Sequence, residues 1–297
     1  MTFREVAAIS DLKPSLVGSV VYTFFPVRRR VVMENLRQVF GDQLTEKEFR
    51  RLARCIYGHV ATTIREYLTM MVSSERRIAD RVDVVGVEHV LKAAEQGRGV
   101  LILTGHFGNW ELSAVAAMLQ FKQYRNRFHV IRKPLGLGME GVVFGRFREA
   151  GLTVINRMNA LATTLDVLEK NDVVIFIMDQ HNVVGSKAIE VEFFGKVAGT
   201  NRSLAMVARQ SGAPVIPAAS YRKSDGRHVM EFHPPLEWIA AERPREELYL
   251  NTLAYNRVLE KFVLAHPDQW LWAHRRWKIG SNRPSKRRLR ELKMGRR

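Results

Sequence analysis

Apolar and polar positions follow two different rhythms along this chain, and the change falls near residue 82. Between Thr45 and Met71 the positions Phe49, Leu52, Ile56, Val60, Thr63 and Ile64 recur close to the helical period, which predicts one long helix with a buried stripe. Thr45-Glu-Lys-Glu48 reads as a capping box at its start. From about Val82 onward, short apolar runs alternate with helical patterns. The runs predict strands at 82–85, 99–104, 127–132, 152–155, 173–178, 189–194, 214–219 and 228–232, with helices at 86–95, 109–121, 138–150, 159–170, 200–211 and 244–265. Interleaving of this kind predicts an α/β fold: a three-layer, mostly parallel sheet flanked by helices, behind an N-terminal helical segment. The runs near 189–194 and 228–232 are expected to make the sheet mixed. The expected division is a helical, membrane-associating segment at 1–75, an α/β domain at 76–278 and a basic tail at 279–297.

Ahead of the long helix, Leu16–Phe25 is an apolar run closed by Pro26 and followed by Arg28, Arg29 and Arg30. A spanning helix needs about 20 apolar residues, and Asp11 and Lys13 stop this run from extending upstream. The order of charge and apolar region, with no small-residue cleavage site after it, argues against a signal peptide. Two readings fit: a helix lying in a membrane interface with basic residues at the headgroups, or an ordinary buried hairpin.

Composition narrows the class. A chain of 297 residues with 46% hydrophobic and 26% charged positions has the make-up of a folded globular protein with a sizeable core. The single cysteine, Cys55, excludes an intramolecular disulfide. The formal net charge is +17, but residues 275–297 hold eleven Lys or Arg against one Glu, so +10 sits in that tail and +7 on the rest. Such a tail is either solvated and disordered or drawn to an anionic membrane surface. Its distal part lacks aromatics to stack on bases, which disfavours nucleic acid. No Cys/His cluster has metal-ligand spacing, and no HExxH occurs, so neither a metal nor a cofactor is expected.

The densest candidate chemistry lies in Gly99–Ser113, GVLILTGHFGNWELS. His106 and Glu111 are five positions apart, which on one helix would separate them by about 140°. They converge only if His106 sits on a turn after a strand, Asn109 caps the next helix, and Glu111 stands in its first turn. There the helix dipole favours an ionised Glu111, able to orient the imidazole while His106 takes a proton from a hydroxyl. The alternative is a surface turn whose histidine only caps. Gly105 and Gly108 are expected to let substrate approach the backbone. Gly136-Leu-Gly-Met-Glu-Gly141 matches GxGxxG, but Lys133-Pro134 separates it from its strand, and the next strand ends at Asn156-Arg157 without a ribose-binding acid. A tight turn is the better reading. Asp179 and Gln180 follow an apolar strand, where α/β sheets bind ligands, although a capping role for Asp179 fits equally. Arg202 precedes a helix near Ser203, either as an anion site or as a surface ion pair. Trp270, Trp272 and Trp277, among basic residues, suit a membrane interface or a segment packed on the core. No GxSxG is present.

The segments RRVVMENLRQVF (29–40), GHFGNWEL (105–112), IRKP (131–134), MDQH (178–181), FFGKVAGTNRSLAMVARQSGAPVIPA (193–218) and HPDQWLWAHRRWK (266–278) occur in one order along most of the chain. Together they resemble the bacterial lipid A biosynthesis acyltransferases of the lysophospholipid acyltransferase superfamily. The resemblance implies a His-x4-Asp/Glu dyad, here His106 and Glu111, deprotonating an acceptor hydroxyl that attacks an acyl thioester. It implies Arg132 as an oxyanion donor, with Asn109, Asp179, Gln180 and Arg202 around the substrates. Acyl carrier protein, or acyl-CoA, would be the donor partner and a membrane glycolipid the acceptor, most simply a lipid A precursor. A phosphatidylinositol mannoside or lysophospholipid acceptor is the alternative, as is a non-enzymatic protein that binds anionic membrane. The implied location is the cytoplasmic face of the inner membrane, peripheral or monotopic. Family members usually begin with a longer apolar helix than the run found here.

Overall fold

The structure is a computed structural model that describes residues 9, 11–25, 27–132, 139–156, 160–185 and 187–278. The glycines at 136 and 138 and the basic tail at 279–297 lie outside the described residues.

The N-terminal segment is helical: α1 (Leu16–Phe24), α2 (Arg29–Phe40), α3 (Glu46–Val72) and α4 (Glu75–Ala79). The capping box of α3 is formed, with Thr45 Oγ1 accepting from the Glu48 N–H and the Glu48 carboxylate accepting from the Thr45 N–H. Its buried stripe is rotated from the expected one. Leu52, Ile56, His59, Glu66 and Met70 face inward, whereas Ile64 is 57% exposed. Helices α1 and α3 cross at glycines: a Cβ on Gly18 would stand 2.8 Å from the Gly58 Cα and 2.4 Å from the Arg54 carbonyl oxygen. This close seat turns the apolar row Leu16, Val17, Val20 and Phe24 outward. Among the described residues, no helix is long and apolar enough to cross a membrane.

The α/β part contains β1 (Val82–Val85), α5 (Val87–Ala94), β2 (Val100–Thr104), α6 (Trp110–Gln120), β3 (Phe128–Arg132), α7 (Met139–Ala150), β4 (Leu152–Asn156), α8 (Ala160–Glu169) and β5 (Val173–Ile177). It continues with β6 (Ala188–Phe193), β7 (Lys196–Asn201), α9 (Ser203–Ser211), β8 (Val215–Arg222), β9 (His228–Phe232) and α10 (Pro244–Ala265). Seven strands form one sheet in the order β1-β9-β8-β2-β5-β3-β4. All neighbours are parallel except β8 and β9. Alternation along β2 shows the three layers: Leu101 and Leu103 enter the core shared with α2, α3, α9 and α10, while Val100 and Ile102 enter the core under α6.

One expectation is corrected. Residues 189–194 do not join the main sheet; β6 pairs antiparallel with β7, a strand absent from the sequence reading, in a separate hairpin. Its two-residue turn has Phe194 at φ +52 and Gly195 at φ +68, the left-handed pair that matches strand twist in a tight hairpin. The mixed character of the main sheet comes from the antiparallel β8–β9 pair, with β1 running parallel to β9.

Candidate active site

Strand β2 ends at Thr104 and releases the chain into a turn, Gly105–Asn109, at the carboxyl edge of the sheet. Asn109 then caps α6, its Oδ1 accepting from the Leu112 N–H at 3.1 Å, so Glu111 falls in the first turn, as its spacing from His106 requires. Strand β5 lies beside β2 in parallel, with Thr104 opposite Ile177, and the Met178 N–H donates to the Thr104 carbonyl at 2.9 Å. Adjacent parallel strands thus bring their carboxyl ends, and with them His106 and Asp179, to one point.

There it is Asp179, rather than Glu111, that is hydrogen-bonded to the His106 ring. Its Oδ1 lies 2.9 Å from His106 Nδ1, and its Oδ2 accepts from the His106 backbone N–H at 2.9 Å and from Trp270 Nε1 at 2.8 Å. Asp179 is 2% exposed. An ionised carboxylate only accepts, so Nδ1 carries the proton and Nε2 holds the lone pair of the neutral ring. The amide nitrogen of Gln180 lies 3.3 Å from that Nε2 and 3.4 Å from Nδ1, close to both ring nitrogens. Asp179, predicted as a ligand contact, has both oxygens turned to the protein instead.

The charges agree with this geometry. Burial opposes ionisation of Asp179, but the His106 charge, the bonds from His106 and the bond from Trp270 outweigh it and hold the carboxyl below its ordinary range. Burial likewise disfavours the imidazolium; the charge and hydrogen bond of Asp179, with the charge of Glu111, outweigh it and raise the His106 pKa. Glu111 differs from expectation. Burial pushes its carboxyl upward, against its own backbone N–H and the His106 charge. Desolvation therefore outweighs the helix-terminus effect that was expected to dominate.

Two further corrections concern the turn. Asn109, predicted to contact substrate, is fully buried, with Oδ1 on Leu112 and Nδ2 donating to Glu66 Oε2 at 3.0 Å. The glycines admit protein rather than substrate: a Cβ on Gly105 would stand 3.0 Å from the Asp179 side chain, and one on Gly108 would stand 2.5 Å from the Ser220 carbonyl oxygen.

Arg132 ends β3, one strand beyond β5, and is half-buried. Arg202 is half-buried at the start of α9, with its N–H donating to the Lys187 carbonyl at 3.1 Å. The aromatic segment resolves in favour of packing. Trp270 and Trp272 are 2% and 0% exposed, and the segment is laid against the turn, with Phe107 bridged to Trp270 and the Gly108 N–H donating to the Gln269 carbonyl.

The sequence reading passed over a second buried polar group beside the turn: Glu66 and His59 from α3, Arg222 at the end of β8, and His228 at the start of β9. A signal for it existed. Leu52, Ile56, His59, Thr63, Glu66 and Met70 are spaced by alternating steps of four and three, so three polar residues occupy the inward stripe of α3.

With this geometry in hand, comparison with known proteins is specific. Residues 12–279 match the family model described as bacterial lipid A biosynthesis acyltransferase. The lipid A biosynthesis lauroyltransferase of Escherichia coli K12 is 28% identical over 266 residues, covering 88% of this chain and 83% of that protein. The lipid A biosynthesis palmitoleoyltransferase of the same organism is 25% identical, covering 88% and 82%. A phosphatidylinositol mannoside acyltransferase of Mycolicibacterium smegmatis is 24% identical over 63% of this chain and 60% of its own length. Among solved structures, the 1-acyl-sn-glycerophosphate acyltransferase PlsC of Thermotoga maritima aligns over 87% of this chain and 97% of its own, at a TM-score of 0.34 and 15% identity.

Proposed function

The chain belongs to the bacterial lipid A biosynthesis acyltransferase family, and on that premise we propose that it moves a fatty acyl group from a thioester onto a hydroxyl of a lipid A precursor, with His106 as general base. Nε2 takes the proton of the acceptor hydroxyl as the oxygen attacks the thioester carbonyl. The tetrahedral oxyanion collapses with cleavage of the C–S bond, and the imidazolium returns its proton to the departing sulfur. The products are an ester and a free thiol. Asp179 holds the tautomer and stabilises the imidazolium, and Glu111 adds a second negative field on the ring. Arg132 is the proposed donor to the oxyanion, while Gln180 and Arg202 contact the substrates. The observation that carries the reading is the 2.9 Å contact between His106 Nδ1 and a buried carboxylate, which leaves Nε2 as the reacting nitrogen.

The donor we propose is acyl carrier protein, with acyl-CoA as the other thioester to be tested; an excess of basic side chains suits an acidic carrier. The place we propose is the inner membrane, at its cytoplasmic face, held peripherally. What supports this is the exposed apolar row of α1 continuing through Phe25 and Val27 to exposed Arg28–Arg30, together with Ile64, Leu68 and Val72 along the outer face of α3.

The test is transfer of a labelled acyl group from acyl carrier protein or CoA onto a lipid A precursor, with a lysophospholipid and a phosphatidylinositol mannoside as competing acceptors. The expected result is acylated lipid A precursor with wild type, formed at least about 10²-fold more slowly with His106→Ala. Transfer only to a competing acceptor would replace the lipid A reading, and transfer by His106→Ala at the wild-type rate would remove the mechanism.

A further inference from the structure

On the side of the turn away from Asp179, hydrogen bonds close a frame. The Glu66 carboxylate accepts from Arg222 Nε at 2.9 Å and Nη2 at 2.6 Å, from His228 Nε2 at 3.1 Å and from Asn109 Nδ2 at 3.0 Å. The remaining guanidinium donors of Arg222 reach Thr63 Oγ1 at 3.3 Å and His59 Nδ1 at 3.0 Å. A guanidinium only donates, so His59 Nδ1 is an acceptor and the ring proton is on Nε2, 3.3 Å from the Gly108 carbonyl oxygen. The backbone of Arg222 is tied to Gln269 twice: its N–H donates to Oε1 at 2.8 Å and its carbonyl accepts from Nε2 at 2.9 Å. Gln269 in turn accepts from the Gly108 N–H at 2.9 Å through its own carbonyl.

The frame therefore holds Gly108 by both of its peptide groups and Asn109 by its amide. Gly108 is at φ +57 with strand β8 against its α-carbon, a conformation that L side chains rarely adopt. Stability is a poor reason for such an arrangement, because a buried ion pair is commonly matched by apolar residues of the same volume. What apolar residues could not supply are directed hydrogen bonds to the two residues that separate His106–Phe107 from α6. The centre of the frame is closed to solvent: Glu66 and His228 are 2% and 0% exposed.

We propose that Glu66, Arg222 and His59 are positioning residues whose buried frame fixes the Gly108–Asn109 backbone and so aims His106 Nε2 at the acceptor hydroxyl, without touching substrate. The proposal rests on the acyl-transfer reading above. Asp179 sets the tautomer of the ring, and the frame sets where the ring stands.

Removing Glu66 or Arg222 strands a buried charge, so the test uses His59. Glutamine can accept from Arg222 and donate to the Gly108 carbonyl, whereas leucine keeps volume and does neither. His59→Leu and His59→Gln are made alone and with His106→Ala, in the full chain. Acyl transfer, thermal unfolding and hydrogen exchange of the 105–113 amides are measured on each. His59→Leu is expected to lower kcat on the order of 10- to 100-fold with KM for the donor changed by less than about twofold. Exchange at Gly108 and Asn109 should speed up, and His59→Gln should restore both. In the His106→Ala background the leucine should cost nothing further, because its effect passes through the missing imidazole. Unchanged kcat per folded molecule, or an equal loss without His106, would overturn the proposal, as would slow exchange in His59→Leu. If wild type transfers no acyl group, the acyl-transfer reading fails, while the exchange data still decide whether His59 holds the turn.

Discussion

On one side of the His106 turn the buried carboxylate is Asp179, and its partner is an imidazole that can gain and lose a proton. On the other side it is Glu66, held by the Arg222 guanidinium, which stays charged, and by the fully buried His228. Both carboxyls are held below their ordinary range against the cost of burial. The imidazole keeps an edge toward solvent, with a side chain 24% exposed, whereas the Arg222 side chain is 13% exposed and meets only protein groups in the frame. The difference separates a site that can do acid–base chemistry from one that can only hold a shape. A short buried carboxylate–cation contact marks neither role by itself. The titration of the cation and its access to solvent decide.

The comparison can be broken at either side. His106→Ala should lower kcat per folded molecule by at least about 10²-fold, and up to 10⁴-fold, beyond what the destabilisation from leaving the buried Asp179 carboxylate without its imidazole accounts for. Glu66→Ala should show first as stability, costing about 3–5 kcal/mol because it leaves Arg222 buried without its carboxylate, with the smaller loss of kcat expected of a positioning residue; chemical denaturation is the measurement. Stability against pH sharpens the contrast. The raised pKa of His106 means that its pairing stabilises the fold fully below about pH 6.5 and is lost as pH rises through the raised value. The lowered pKa of Asp179 is lost from the other end, as pH falls. Against the cost of burial, hydrogen bonds from His228, Arg222 and Asn109 and the Arg222 charge lower the Glu66 pKa, and the stability this contributes is lost as pH falls. The stability lost in Glu66→Gln should therefore be as large at pH 9 as at pH 6, whereas that lost in Asp179→Asn should shrink toward pH 9.

Smaller effects are expected farther from the ring nitrogens. Glu111→Gln removes one of the charges that raise the His106 pKa, so the acid limb of kcat/KM should move down in pH, with a loss of about tenfold or less. If the limb stays in place, Glu111 does not act on the ring. Phe24→Glu changes a residue 71% exposed on α1; binding to anionic phospholipid vesicles should weaken by about tenfold, with thermal unfolding unchanged. Equal binding would place the membrane contact elsewhere.

Much of the fold was legible because it rests on local pattern. The capping box of α3, the apolar runs of β2 and β5, and the strand–turn–helix junction at His106 each follow from a few consecutive residues. Strand β7 was missed because Phe194 and Gly195 form a left-handed turn, and only the glycine advertises such a backbone. The partner of His106 was legible as a residue but not as a role. Asp179 lies 73 positions away, and only the placement of β5 beside β2 brings it to Nδ1. Glu111 looked better because it was near in sequence and at a helix start, yet burial controls its carboxyl. The Glu66 frame left its trace as three polar residues on an inward helix face, a trace readable only once the face is known; the expected stripe had included Ile64, which lies outside.

The central claim is that His106, held by Asp179, is the base. The most direct test is kcat/KM against pH for wild type and Asp179→Asn, in acyl transfer to the lipid A precursor. The account predicts a wild-type acid limb above the ordinary histidine value of 6.5. In Asp179→Asn the rate should fall by at least about 10²-fold, with the limb displaced to lower pH as the raising charge is lost. A variant with near-wild-type rate and an unmoved limb would contradict it.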